Sequence, residues 1–337
     1  MSRIKQMDRR PIFSRTVLLI VALAMVVFAS NATAGVTLTL GHGAAPGNPR
    51  TIAAEAFAKM VAERTNGNVT IKIAPSEQLG SDVAMLTSIR TGALDLTANS
   101  QGAASGLVPE LAALGLPFLF KDSTHAFKVL DGQIGKDLEA KFAAVGMIPL
   151  DWWDNGIRHI TNSKRSVNLP ADLKGLKIRT PADPMTVDIF QALGAATQQI
   201  AFGELYIALQ QGVVDGQENP LANIMSAKLY EVNKFISLSG HKWEVTPFLM
   251  SQISVKKVKP EELTIIKAAA KEAGVLQRKL MIETDQKLLT DFKANANLVV
   301  NECDRPAFQA ATAEVVEKWK AKPFGDFVSK LVAAAKN

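Results

Sequence analysis

The chain reads as an α/β protein in two domains, with a ligand cleft between the domains and one long helix spanning both. Three observations predict this. Short alternating runs interchange with helical patterns along the whole length. Apolar alternation returns near Val245, after a separate group of elements, so the chain crosses twice between two modules and makes a hinge. Finally, Pro260 to about Ala294 carries Leu263, Ile266, Ala270, Leu276 and Leu280 at roughly helical spacing, with Gly274 its one glycine. At 1.5 Å per residue that is a helix of about 50 Å, long enough to lie across both modules.

The N-terminus has the pattern of a secretory signal: Arg3, Lys5, Arg9, Arg10 and Arg15, an apolar stretch from Thr16 to Ala29, then Ala32-Thr33-Ala34 as a cleavage site. The apolar stretch is short against the roughly 20 residues of a membrane helix. Residues 1–34 hold five Lys/Arg and one Asp, so the formal charge of +6 becomes +6 − 4 = +2 after their removal. No basic patch remains to suggest nucleic acid. With Cys303 alone there is no internal disulfide, and core burial must hold the fold.

Val36, Leu38 and Leu40 alternate with Thr37 and Thr39 as a half-buried strand. Asn48-Pro49 caps and opens a helix whose stripe is Ala53, Ala54, Phe57, Met60 and Val61. Val69, Ile71 and Ile73 form a second strand; Val83, Leu86 and Ile89 a second helix; Leu94 to Ala98 a third strand. After the strand Met147 to Trp153, the second module begins near Asn155. Lys177-Ile178-Arg179 ends a short strand, Asp183-Pro184 opens a helix closed by Gly194, and Ala196 to Ile200 is a strand. Gly203 to Gln211 is a helix and Val213 to Gln217 another strand. The expected division is 35–155 plus 245–284 for the first domain, and 156–244 plus 285–337 for the second.

Ligands in open α/β sheets bind beyond the carboxyl ends of the strands. Arg179 stands at such an end, fixed by Pro181 and Pro184, where its planar fork can take a carboxylate through two parallel N–H groups. Asn219 can supply a donor and an acceptor beside it, or serve as a turn residue before Pro220. Phe202 offers an apolar wall or a core ring. His42, Asn48, Ser100 and Gln101 fall at strand ends or in the first loop, as ligand contacts or as loop caps. Of Trp152 and Trp153, adjacent on a strand, at most one can present a face to a sugar ring.

The segment KGLKIRTPADPMTVDIFQALGAATQQIAFGELYIALQQGVVDGQENPLAN (174–223) resembles the signature region of the TRAP-transporter solute-binding proteins, the DctP family. SEQLGSDVAMLTSIRTGALDL (76–96), LGLPFLF (114–120) and NGIRHITNSKRSV (155–167) extend the resemblance over nearly the whole chain after residue 34. It implies a type II-like periplasmic binding protein in which Arg179 holds the substrate carboxylate and Asn219 lines the same pocket. It also implies that Arg158 is the second pocket arginine, with a structural brace as the alternative, and that His241 occupies a pocket position. The partners implied are a small organic acid and the membrane permease subunits of a TRAP transporter. DNGIRHITN, DLKGLKIRTP and DPMTVDIFQALGA resemble the branch that takes sugar acids, uronates or aldonates, with C4-dicarboxylates and aromatic or keto acids as alternatives.

An enzyme is not expected. The four histidines are not paired at helical spacing for zinc, no G-x-S-x-G elbow occurs, and Gly132-Gln133-Ile134-Gly135-Lys136 lacks phosphate-loop spacing. No metal or cofactor is expected. An exported enzyme acting on acidic sugars and a ligand-sensing module are the alternative classes.

Overall fold

The computed structural model describes residues 35–336; the signal-like segment 1–34 lies outside them. Among the described residues nine strands form one sheet, in the order β2 (Val69–Ala74), β1 (Val36–His42), β3 (Leu96–Ala98), β8 (Phe235–Ser251), β4 (Met147–Asn162), β7 (Gly216–Asn219), β5 (Lys177–Thr180) and β6 (Ala196–Gln199), with β9 (Val299–Glu302) also on β8. The first lobe opens with β1 (Val36–His42), α1 (Pro49–Arg64), β2 (Val69–Ala74), α2 (Asp82–Thr91) and β3 (Leu96–Ala98). The three strands are parallel. Asn48 caps α1 as expected, its side chain accepting from the Arg50 amide. Three further helices follow, α3 (Gln101–Ser105), α4 (Ser123–Leu130) and α5 (Gln133–Ala144).

Two long strands carry the chain between lobes. β4 (Met147–Asn162) and β8 (Phe235–Ser251) run antiparallel, each about 50 Å at 3.3 Å per residue. Their outer ends belong to different lobes: β8 pairs β3 at 248–250, whereas β4 pairs β7 at 159–162. Between these ends the register shifts at Asp154/Gly156 and Arg158/Ile160, where the chain crosses over. Both strands exceed the apolar runs that mark them, since Asp154, Asn155, Arg158, His241, Lys242 and Glu244 are buried there. The sequence alternation that returns at Val245 runs through Phe248, Met250, Ile253 and Val255, but Ile253 and Val255 lie beyond the strand, in a turn and a 3-10 helix.

The second lobe contains β5 (Lys177–Thr180), α6 (Pro184–Ala192), β6 (Ala196–Gln199), α7 (Phe202–Gln210), β7 (Gly216–Asn219) and α8 (Leu221–Ser226). Asp183 caps α6, and Gly194 follows it with φ +83°. The strand expected at Val213–Gln217 is instead Gly216–Asn219: Val213 is 46% exposed, and all four strand residues are buried. A polar run makes this strand because the groups facing it are polar. Gly216 permits the pairing, since a Cβ would lie 2.3 Å from the Thr161 carbonyl oxygen.

α9 (Pro260–Ala294) has the expected extent and packs along α1, β4 and α8. It adds Ile266, Ala270 and Ala273 to the first-lobe core around Leu38, Phe57 and Phe248. Farther along, Met281, Leu288 and Phe292 join the second-lobe core around Leu205, Leu209 and Ile236. β9 (Val299–Glu302), α10 (Arg305–Lys320) and α11 (Gly325–Ala334) complete the chain.

The one glycine of α9 marks a close approach. A Cβ on Gly274 would stand 1.6 Å from Asp151 Oδ2 and 3.3 Å from Trp153 Nε1, while Asp151 is held by Lys271 at 3.0 Å. Gly274→Ala gains about 1 kcal/mol in helix propensity but must displace that ion pair or the helix. The expected net result is a loss of about 1–3 kcal/mol, read as a lower urea midpoint; an unchanged midpoint would contradict it.

Farther along α9, Asp285 accepts from the Ala222 amide at 3.3 Å, and a Cβ on Gly156 would come within 3.3 Å of its Oδ2. Burial, then Asp154, pushes its pKa up to about 8. The unfolded value is about 3.9, so between these limits the folded form retains a proton that the unfolded chain releases, and stability falls as pH rises. Asp285→Asn should therefore be nearly neutral around pH ~4 and stabilising by at least about 1 kcal/mol around pH ~8. Urea unfolding at the two pH values checks this, and no gain at the higher one would count against it.

Candidate functional site

Two adjoining cavities, about 200 and 40 Å³, lie between the lobes and share Asp82, Ser100, Arg179, Pro181 and Phe202 among their walls. The lobes meet around them: Glu77 Oε2 accepts from the Gly203 amide at 2.6 Å, and Asn48 Nδ2 donates to Asn223 Oδ1 at 2.9 Å.

Arg179 projects from β5, pinned by Nε donating to the Ile200 carbonyl at 2.9 Å. The residue is only 2% exposed, yet among the described residues no carboxylate stands within ion-pair distance of its guanidinium. Burial, its largest influence, brings its pKa down to about 10, against the opposing field of Glu218. A desolvated cation with only its Nε committed is prepared for an anion that arrives from outside. Phe202 stands beside it, its ring centroid 5.9 Å from Arg179 Cζ.

Arg158 lines the inner cavity in a different state. Its Nε and Nη2 grip the Glu218 carboxylate, Nη2 also reaches the Glu218 carbonyl, and Nη1 donates to Glu244 at 2.8 Å. Glu244 in turn accepts from Lys242 Nζ at 2.6 Å, and Lys242 donates to Asp183 at 2.6 Å. This buried chain of alternating charges crosses β7, β4 and β8 and joins the cap of α6 to the crossover. Despite burial, Arg158 holds the Glu218 carboxyl well below the usual carboxylate range.

Asn219 also faces the inner cavity, with Nδ2 donating to Gln217 at 2.5 Å and Oδ1 accepting from Asn223 at 3.1 Å. The structure thus brings Arg179, Arg158, Asn219, Ser100 and Phe202 together on the cavity walls. The other four candidates lie behind those walls. Asn48 uses its oxygen to cap α1 and its nitrogen to reach Asn223. Gln101 Oε1 accepts from the Val245 amide at 3.0 Å. His241 lies between Ser239 and Glu218, and its pKa is lowered, chiefly by burial. His42 is fully buried with neither ring nitrogen hydrogen-bonded, and burial followed by Arg50 takes its pKa down to about 3. Neither tryptophan lines the two cavities between the lobes: Trp152 packs on Phe142 and borders a separate hollow with Asp131 and Arg278, and Trp153 packs on Phe248.

Sequence patterning misses several wall residues, Arg50, Asn155 and Asp82 among them. Arg50, in the first turn of α1, is buried with Nη2 on Asn155 Oδ1 and Thr246 Oγ1, giving the inner cavity a third guanidinium. Asn155 and Asp82 line the same space. Nothing at the sequence level separates a buried first-turn arginine from an exposed one. Among the described residues no group of His, Cys, Asp and Glu could hold a metal ion.

Two α/β lobes joined by through-running strands and closed on a crevice lined by three arginines and three carboxylates define the two-domain periplasmic-binding-protein fold, built to enclose a small solute. The chain belongs to the bacterial extracellular solute-binding protein family 7, DctP, whose pattern it matches over residues 40–322. It is 64% identical over 312 residues to the uncharacterized protein y4mM of Sinorhizobium fredii, which covers 93% of this chain but 58% of that longer relative. It is 36% identical to the 2,3-diketo-L-gulonate-binding periplasmic protein YiaO of Escherichia coli, over 87% of this chain and 89% of the relative. The sugar acid binding protein DctPAm of Advenella mimigardefordensis, solved with galactonate, superposes with TM-score 0.87 at 33% identity, covering 90% of this chain and 98% of that one.

Proposed function

We propose that the chain captures a sugar acid, an aldonate or uronate, in the periplasm and delivers it unchanged to the membrane permease of a TRAP transporter. The observation that carries this reading is Arg179: a buried guanidinium on a cavity wall, with no carboxylate of the chain paired to it among the described residues. Arg158, already neutralised, serves to position the site and can still face the ligand, while Arg50 and Asn219 add donors for further oxygens. A relative named for 2,3-diketo-L-gulonate binding and a sugar acid binding protein solved with galactonate support the class of ligand. Residues 1–34 act as the export signal in this reading. The hinge lies where β4 and β8 cross, near residues 155 and 245. Closure follows from the difference in ligand affinity between open and closed forms.

A thermal-shift screen of aldonates, uronates, C4-dicarboxylates and aromatic acids tests it, because a ligand bound to the native state raises Tm. The largest rise should come from a sugar acid, without product formation. No response to any organic acid, or turnover of the ligand, would overturn the proposal.

A further inference from the structure

Two side chains of the first lobe reach across to helices of the second, and the capture of an acid at Arg179 explains neither. Asn48, buried just before α1, uses both halves of its amide. Its Oδ1 accepts from the Arg50 amide at 2.9 Å and caps α1, while Nδ2 donates to Asn223 Oδ1 at 2.9 Å and to Ser226 Oγ at 3.2 Å on α8. The side chain lines neither cavity between the lobes. Asn223 passes the contact on: its Nδ2 donates to Asn219 Oδ1 at 3.1 Å and to Asn155 Oδ1 at 3.2 Å, at the crossover.

Glu77 makes the second crossing. α7 begins after Ala201, which makes no side-chain cap, and the Glu77 carboxylate takes that place from the other lobe, Oε2 accepting from the Gly203 amide at 2.6 Å. Its Oε1 is held by the Asp82 amide at 3.2 Å. Ser76 and Glu77 both have φ +56°, a left-handed backbone that two successive non-glycine residues adopt only at a cost. That turn aims the carboxylate at α7. Gly203 leaves it room, since a Cβ there would lie 3.0 Å from Oε2. Both crossings exist only while the lobes meet. A solute enters while they are apart, so such contacts act on its departure and not on its arrival. We propose that Asn48 and Glu77 form an interlobe latch that sets how long the loaded cleft stays shut, acting through closure and not through contact with the solute. The inference rests on the sugar-acid reading of the cleft and adds control of residence time to it.

Stopped-flow fluorescence with D-galactonate and D-glucuronate tests this on the parent chain and on Asn48→Asp, Glu77→Ala and Glu77→Gln. Asn48→Asp keeps an oxygen to cap α1 but cannot donate to α8. It and Glu77→Ala should each release both acids about tenfold faster, by the same factor for the two, with association within about twofold of the parent. Glu77→Gln, whose side-chain carbonyl can still accept from Gly203, should fall between the parent and Glu77→Ala. Damage to the fold alone would lower the fraction of protein that binds and leave the release rate of the remainder unchanged. Release at the parental rate by both Asn48→Asp and Glu77→Ala overturns the latch and leaves the sugar-acid reading standing. So does a change confined to one acid, the mark of a ligand contact, or a change confined to association. A parent that binds neither acid overturns the sugar-acid reading, and the latch with it.

Discussion

Arg179→Ala should weaken acid binding by at least about a hundredfold, roughly 2.7 kcal/mol. The reason lies in what surrounds the side chain. It is already desolvated, its Nε is held by the Ile200 carbonyl, and no carboxylate of the chain competes for its Nη groups among the described residues. An acid bound there would therefore meet an oriented donor pair whose burial has been offset by the fold. Each charge-assisted hydrogen bond contributes about 1.5–3 kcal/mol, so two of them supply much of the roughly 8 kcal/mol of a micromolar complex. Arg179→Lys should remain substantially impaired, because an ammonium is a point charge and cannot present the fork. Titration calorimetry decides both: a loss of less than about fivefold for alanine, roughly 1 kcal/mol, rejects the role, and near-parental binding by lysine makes fork geometry irrelevant.

Lys242→Met should lower folding stability by about 3–5 kcal/mol. Lys242 is buried, and its Nζ contacts Asp183 and Glu244 at 2.6 Å and Thr186 at 2.5 Å. Methionine keeps much of the volume, so the loss comes mainly from leaving Asp183 and Glu244 short of a cation, with Arg158 still touching only Glu244 and Glu218. Against a total stability of about 5–15 kcal/mol, such a change would leave the protein marginal at physiological temperature. Equilibrium urea unfolding monitored by tryptophan fluorescence measures it, and a loss below about 1 kcal/mol would show that the network is dispensable.

The parts of this fold legible in the sequence are those where one face is apolar and the other is not. β1, β2, α1 and α9 announce themselves by period, and Asn48-Pro49 and Asp183-Pro184 by cap chemistry. The parts that escape pattern reading are buried and polar. The inner stretches of β4 and β8 and all of β7 carry charges and amides that satisfy one another across strands, so alternation disappears where the crossover and the site are built. Strand-end logic points to Arg179 because a short apolar strand precedes it. The same logic leaves His42 and Gln101 open between ligand contact and loop cap, and both lie behind the cavity walls, since a strand end fixes where a residue is but not which way its side chain turns. Arg50 and Asp82 sit in the first turns of helices, and only the closing of one lobe on the other places them at the cavity.

The Arg179 guanidinium, waiting in the cleft, is the proposed anchor for the acid group of the ligand. A crystal structure of the chain with D-galactonate, or with whichever acid gives the largest thermal shift, tests this most directly. Both carboxylate oxygens of the ligand are expected within about 3 Å of the Arg179 nitrogens, enclosed by both lobes. A carboxylate seated away from Arg179, with that side chain left unpaired, would contradict it.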